Sequence, residues 1–302
     1  MRLDKRKLRG AYEEVIKSLL IACAVVGVIA VVFITYFIFQ SGAPLFGKVN
    51  PLEFLFSTHW APTDKTNPGF GILSFIVGSF MVTGLALLIG VPVGIACAIY
   101  LAELAGRGFA AVLRRVVEVL AGIPSVVFGL FGMTVICPLV RELFGGTGYN
   151  ALSGAVILAV MILPTIISIS EISIRSVPRD YKAASLAIGA THWQTIIKVL
   201  LPAARSGIIA AVVLGTGRAI GETMAVYMVA GNTPLMPDFG RWLGFTSSVR
   251  TLTMNIITDM SYASGLHRTA LFTTSIVLFV FIMALNIIIQ VLTRKAGLHA
   301  NA

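Results

Sequence analysis

The residues best placed to do chemistry are Arg218 and Glu222, in the run Gly217-Arg218-Ala219-Ile220-Gly221-Glu222-Thr223. They fall inside an apolar stretch from Gly207 to Val229. A helix over that stretch carries Arg218 about 11 residues, roughly 16 Å, from its start. That is close to the middle of a hydrocarbon core about 30 Å thick. A charge at that depth costs about 2.5–3.5 kcal/mol to insert, so each must face a partner or a wet cavity rather than lipid. The i, i+4 spacing places both on one helix face, where they can pair. The chemistry this pair suits is recognition, not bond-making. A guanidinium offers charge and a fork of donors to a passing oxyanion, while Glu222 holds it poised. Thr216 and Thr223 add hydroxyl groups along the same path. The plainer alternative is a buried ion pair that only fixes a helix bundle. Next to the charged face, Gly217, Gly221 and Ala225 make a small-residue stripe of the kind that lets helices cross closely.

A second pattern lies upstream, in residues 176–205. It is too polar to span a membrane, and it reads as two short amphipathic helices joined at Gly189-Ala190, with Pro178 at one start and Pro202 stopping the second. From its physics alone it is an interfacial helix pair.

The elements that must position these residues follow from composition. The chain has 302 residues, 57% of them hydrophobic and only 12% charged, against roughly a quarter charged in a soluble domain. Apolar stretches at Leu19–Phe39, Gly71–Leu101, Val116–Val140, Ala151–Ile172, Gly207–Val229 and Ala270–Leu292 meet the need for about 20 residues per crossing. The expected fold is therefore an all-α membrane protein of six transmembrane helices. The first stretch exceeds the 7–15 residues typical of a signal-peptide core and is read as a retained helix. The basic residues Arg2, Lys5, Arg6, Lys7 and Arg9, then Arg114 and Arg115, Arg175, Arg179 and Lys182, and finally Arg294 and Lys295 all fall on one side of such a bundle. The outer segments hold fewer, among them Lys48, Lys65, Arg241 and Arg250. Positive loops stay inside, so both termini are expected in the cytoplasm. Anionic inner-leaflet lipid accounts for the net charge of +10 without any nucleic acid.

Within the third stretch Pro124 predicts a kink. In the second, Gly90, Pro92 and Gly94 leave open an interrupted helix or ordinary close packing. The loop Gln40–Pro68 either docks a partner or merely connects two spans, and 230–268, with Trp242 and Tyr262, suits short re-entrant or surface helices. Cys23, Cys97 and Cys137 lack the paired spacing of a metal or redox site and are read as packing residues. No Gly-rich loop ending in Lys-Ser or Lys-Thr occurs, so ATP chemistry must come from another polypeptide.

Residues 176–205 resemble the EAA loop of bacterial ABC importer permeases, in which Glu-Ala-Ala is followed by Gly and later by Ile-x-Leu-Pro. Aligned on Gly189, the loop reads Ala183-Ala184-Ser185, then Gly189, then Val199-Leu200-Leu201-Pro202. Ala183 stands at the family's Glu, Ser185 at its second Ala and Val199 at its Ile. The run GRAIGETMAV, residues 217–226, is similar to the signature of phosphate permeases of the Pst system, PstC type; sulfate and molybdate permeases follow the Glu with an aromatic residue. The resemblance covers essentially the whole chain. It implies a type I, MetI-like permease fold, with a basic cytoplasmic N-terminus over 1–18 and a transmembrane permease domain over 19–302, in a bacterial inner membrane. It also implies that Ala183, Ala184, Ser185, Gly189, Leu201 and Pro202 couple to an ATPase, and that Arg218 and Glu222 act in transport. The implied partners are a PstA-like second permease, a PstB-like ATPase dimer that binds the ATP and Mg, a periplasmic PstS-like phosphate-binding protein, and phosphate itself. No cofactor or metal is expected in this chain, and no catalysis. The alternatives are a permease for another oxyanion, or a proton-coupled secondary transporter with Glu222 as the proton carrier.

Overall fold

A computed structural model describes residues 2–240 and 244–298; Arg241 and Trp242 lie outside the described residues. Among the described residues six helical runs are long and apolar enough to cross a membrane. Helix α1 (Arg2–Gly42) is followed by a short 3-10 turn, helix α2 (Pro51–Phe56) and a two-stranded ribbon, β1 (Trp60–Ala61) against β2 (Gly69–Phe70). Asn50 caps α2 by accepting from the Leu52 amide. The ribbon pairs Trp60 with Phe70 and Ala61 with Gly69, antiparallel. The loop after the first span is thus a folded cap, packed through Leu45, Phe54, Ile72 and Phe75 against Leu252 and Ala270.

The second span is α3 (Leu73–Ile99), which ends in a wide π-helical turn, Tyr100–Leu104. Helix α3 runs unbroken through Pro92, so Gly90 and Gly94 serve packing, not interruption. A methyl group on Gly94 would lie 2.7 Å from Ile166 Cγ2, and one on Gly90 would lie 2.9 Å from Ile162 Cδ1. Both isoleucines belong to α7 (Ala151–Arg175), the fourth span and the most buried of the six. The fifth span approaches α7 from another side in the same way: a methyl on Gly215 would meet Ile166 Cγ1 at 2.9 Å. In lipid no hydrophobic effect drives apolar helices together, so such glycine notches, which admit close van der Waals contact, are what hold the bundle.

The third span differs from expectation. Helix α4 (Arg107–Gly122) is separate and amphipathic; the chain then breaks at Ile123-Pro124, and the crossing consists of α5 (Ser125–Phe131), a π turn at Gly132–Ile136 and α6 (Cys137–Phe144). Pro124 lacks an amide and disfavours helix at the residue before it, so the expected single kinked helix from Val116 to Val140 becomes two helices. After α7 come α8 (Arg179–Ala187) and α9 (His192–Thr195), then a π turn at Ile196–Leu200 leading into α10 (Leu201–Gly221), α11 (Met224–Val229), α12 (Leu252–Met260) and α13 (Gly265–Leu298). The expected stop at Pro202 does not occur. The wide turn just before it absorbs the missing amide and the ring's clash with the preceding turn. A second π turn precedes Pro138 in the same fashion.

Helix α1 stands apart: every residue from Tyr12 to Ile34 is exposed. It meets the bundle only near its end, where Phe37 stacks edge-on with Phe272 at 5.6 Å and the Thr273 hydroxyl donates to the Gly42 carbonyl at 2.7 Å. Cys23 is therefore exposed rather than a packing residue, whereas Cys137 is buried.

The notch geometry makes a contrast measurable by thermal unfolding in detergent. Gly94→Val should destabilise the chain by about 1–3 kcal/mol through overpacking against Ile166. Gly217→Ala, with nothing within 4 Å of the new methyl, should cost nothing.

Candidate functional site: the broken fifth span and its hairpin

Arg218 lies in the last turn of α10, three residues before that helix ends at Gly221. Its pairing with Glu222 does not occur. Helix α10 ends at Gly221, and Glu222 is extended at φ −72°, ψ 129°. No ion pair forms between the two side chains, and among the described residues the polar contact of Arg218 is from Nη1 to the Thr165 hydroxyl on α7, at 3.4 Å. Glu222 instead turns forward and accepts from the Ala225 amide at 3.3 Å, satisfying the start of α11.

The rest of the break is sealed locally. The Thr223 hydroxyl donates to the Gly221 carbonyl at 3.3 Å, and the Thr253 hydroxyl of α12 to the Glu222 carbonyl at 3.5 Å. Thr216 donates to Val212, one turn back, at 2.7 Å. Both threonines expected along the path thus direct their protons at backbone. The small-residue stripe is also divided: Ala225 is buried inside the chain, while Gly217 and Gly221 present bare backbone to open space. Among the described residues no three His, Cys, Asp or Glu side chains converge as a metal needs.

The hairpin of α8 and α9 turns where the sequence predicts, at Gly189-Ala190, although its second arm runs on into α10. Gly189 turns it at φ +86°, a conformation glycine takes without strain, and the Thr191 and Gln194 side chains form a reciprocal capping box at the start of α9. Ala183, Ala184 and Gly189 are exposed, with Tyr181, Ile188, His192 and Trp193 around them. Ser185 points the other way: it is buried, and its hydroxyl meets that of Thr195 at 2.9 Å. It pins the hairpin's two arms, while Leu201 and Pro202 belong to the membrane helix.

Three polar clusters were not foreseen from sequence. Glu171, buried on α7, accepts from Arg114 Nε at 2.7 Å and from Arg175 Nε at 2.8 Å, tying α4 to α7. Arg175 also donates to the Leu101 carbonyl at 2.8 Å, in the π turn that ends the second span. Lys182 of α8 pairs with Glu103 of the same turn. The hairpin is therefore fastened to the second span as well as to its own neighbours. At the opposite end of the bundle Asp259, buried, accepts from the Tyr262 hydroxyl (2.6 Å), Trp60 Nε1 (3.1 Å) and Arg250 Nη1 (3.4 Å), with His267 Nε2 at 3.3 Å. Burial of its hydroxyl, followed by that hydrogen bond, pushes Tyr262 up to about 12, so it remains a donor well into alkaline solution. Glu171 with Arg175 and Asp259 with Tyr262 are local pairs, at i, i+4 and i, i+3; Arg114, Glu103 and Trp60 come from parts of the chain remote from their partners.

The structure is a bundle of membrane-length helices with a broken fifth span, a polar hairpin and glycine-notched contacts. Residues 90–297 match the family described as "Binding-protein-dependent transport system inner membrane component". The chain belongs to that family: it is a membrane permease subunit of an ABC importer, a multi-pass protein of the inner membrane, and carries no ATPase of its own. It is 42% identical to "Probable ABC transporter permease protein YqgH" of Bacillus subtilis, covering 97% of this chain and 94% of that one. It is 31% identical to "Phosphate transport system permease protein PstC" of Xylella fastidiosa, covering 97% and 95%. Among solved structures the fold is similar to the MetNI methionine transporter (TM-score 0.55, 21% identity, 75% of this chain and 94% of that one). It is similar too to a bacterial alginate importer (TM-score 0.56, 15% identity, 90% and 95%). These are MetI-like permease folds, and permeases of this family work with an ATPase and a substrate-binding protein.

Replacing Glu171 with Gln leaves two guanidinium groups without their shared carboxylate. The loss should be about 2 kcal/mol, read as a lowered thermal midpoint of the purified chain. Arg114→Gln, which leaves Arg175 in place, should lose less.

Proposed function

We propose that this chain is a permease subunit of an ATP-driven phosphate importer, and that Arg218 is the group phosphate meets at mid-membrane. The observation that carries this is a half-buried cation in the last turn of α10, beside the break in the helix, with one long neutral contact and no carboxylate among the described residues. A half-buried guanidinium whose fork is not taken up by a carboxylate favours a ligand that is anionic and offers several acceptor oxygens. Because Glu222 is held by the Ala225 amide, it contributes negative charge nearby without occupying the guanidinium fork. The relatives named PstC support phosphate over other oxyanions, as does Thr223-Met224 after the Glu, where sulfate and molybdate permeases carry an aromatic residue. Phosphate is carried, not altered.

In this reading both termini and the α8–α9 hairpin face the cytoplasm. The exposed face around Ala183, Ala184 and Gly189 sits on a PstB-like ATPase, which holds the ATP and Mg. A PstA-like permease supplies the second half of the path, and a PstS-like protein delivers phosphate at the other end. With Ala183 in place of the family's Glu, docking relies on the shape of the hairpin, pinned by Ser185 and Thr195, and on the Glu103–Lys182 pair to pass its motion to the second span.

Uptake of labelled phosphate by cells carrying Arg218→Ala should fall at least about tenfold, the loss of one charge-assisted contact, at equal membrane levels. Glu222→Gln, whose amide oxygen can keep the cap, should lose less. Unlabelled phosphate should compete and sulfate should not. Full uptake by Arg218→Ala would end the role given to that residue, and competition by sulfate alone would move the substrate to another oxyanion.

A further inference from the structure

We propose that Asp259 is a positioning residue for transport, which latches helix α12 over the break in the fifth span. The proposal rests on membership of the permease family, not on phosphate, and holds for whichever solute is carried.

Helix α12 has two faces. One turns to the bundle: Leu252, Asn255 and Asp259, at i, i+3 and i+7, are all buried. The other, with Thr253, Ile256, Ile257 and Met260, lines a cleft of about 530 Å³ whose remaining walls are Thr223 and Ser261. Thr253 reaches across to the Glu222 carbonyl. The helix therefore closes one side of the break with an apolar wall, the kind of surface that excludes a hydrated anion without binding it.

What holds this wall is not the helix itself. At nine residues it is shorter than the roughly 12–15 needed for a helix to stand alone, so its place depends on its anchors. Asp259 is the principal one. A carboxylate has about four acceptor sites, and here four donors come from four separate places: Trp60 on β1, Arg250 before α12, Tyr262 after it and His267 on α13. Arg250 in turn grips the Asn232 carbonyl and the Asn255 side chain, and lies over the Phe75 ring at 5.8 Å. One side chain thus gathers the cap after the first span, both ends of α12 and the start of the sixth span. Removing it releases the flap as a unit, because no other contact joins all four.

The test uses the full chain in lipid nanodiscs, with Cys23, Cys97 and Cys137 replaced by serine and one new cysteine introduced at Thr253, on the cleft side of α12. Maleimide labelling at 253 should be slow with Asp259 present and about tenfold faster in Asp259→Asn, the shift expected when charge-assisted hydrogen bonds worth over 1 kcal/mol are lost. A second reporter at Ala159, buried between spans, should keep its rate. An unchanged rate at 253, or an equal rise at 159, would overturn the latch: the first means that α12 is held by something else, the second that the bundle merely loosens. If Asp259→Asn does not reach the membrane, the double variant Trp60→Phe with Tyr262→Phe, which removes two donors and keeps the carboxylate, is judged by the same two readings.

Discussion

Inside a membrane a helix can stop only where its open amides and carbonyls find partners, because lipid offers none. The site depends on how that requirement is met between Gly221 and Met224. The Glu222 carboxylate takes up the Ala225 amide, while Thr223 and Thr253 cover the carbonyls of Gly221 and Glu222. Turned forward to α11, the acid makes no ion pair with Arg218 among the described residues. The available guanidinium and the break in the helix therefore go together. A continuous helix would have brought the two charges together and left the span with a self-satisfied ion pair.

The same economy governs the rest of the bundle. Ile162 and Ile166 on α7 fit glycine notches from α3, and Ile166 meets a second one from α10, so three spans share one ridge. At Pro138 and Pro202 a wide turn ahead of the ring keeps the helix going, and α3 and α7 run on through Pro92 and Pro164 without one. At Pro124 the helix divides. Proline alone does not decide between continuation and a break.

Much of this was legible in the sequence, and the exceptions have common causes. Hydropathy located the spans because about 20 apolar residues in a row have few other uses. The hairpin followed from Pro178 and Gly189. The break at Glu222 was not legible, since Ala-Ile-Gly-Glu-Thr-Met contains no residue that forbids helix; a side chain competing for a backbone amide ended it. The family resemblance marked Ser185 as a coupling residue, yet its hydroxyl is buried against Thr195, something no linear motif reveals. The Asp259 cluster draws on residues from Trp60 to His267, a range over which sequence patterns carry no geometric information. The third span was misjudged for a related reason. The apolar positions of α4 run on from those of α5, and only the fold separates an amphipathic helix from a crossing one.

Gly217 and Gly221 leave a strip of naked peptide along α10, beside Arg218 and level with it. A helix from another chain that settled on that strip would approach almost main chain to main chain, with no side chain to hold it off. The bare face of α10 and the guanidinium would then share one contact.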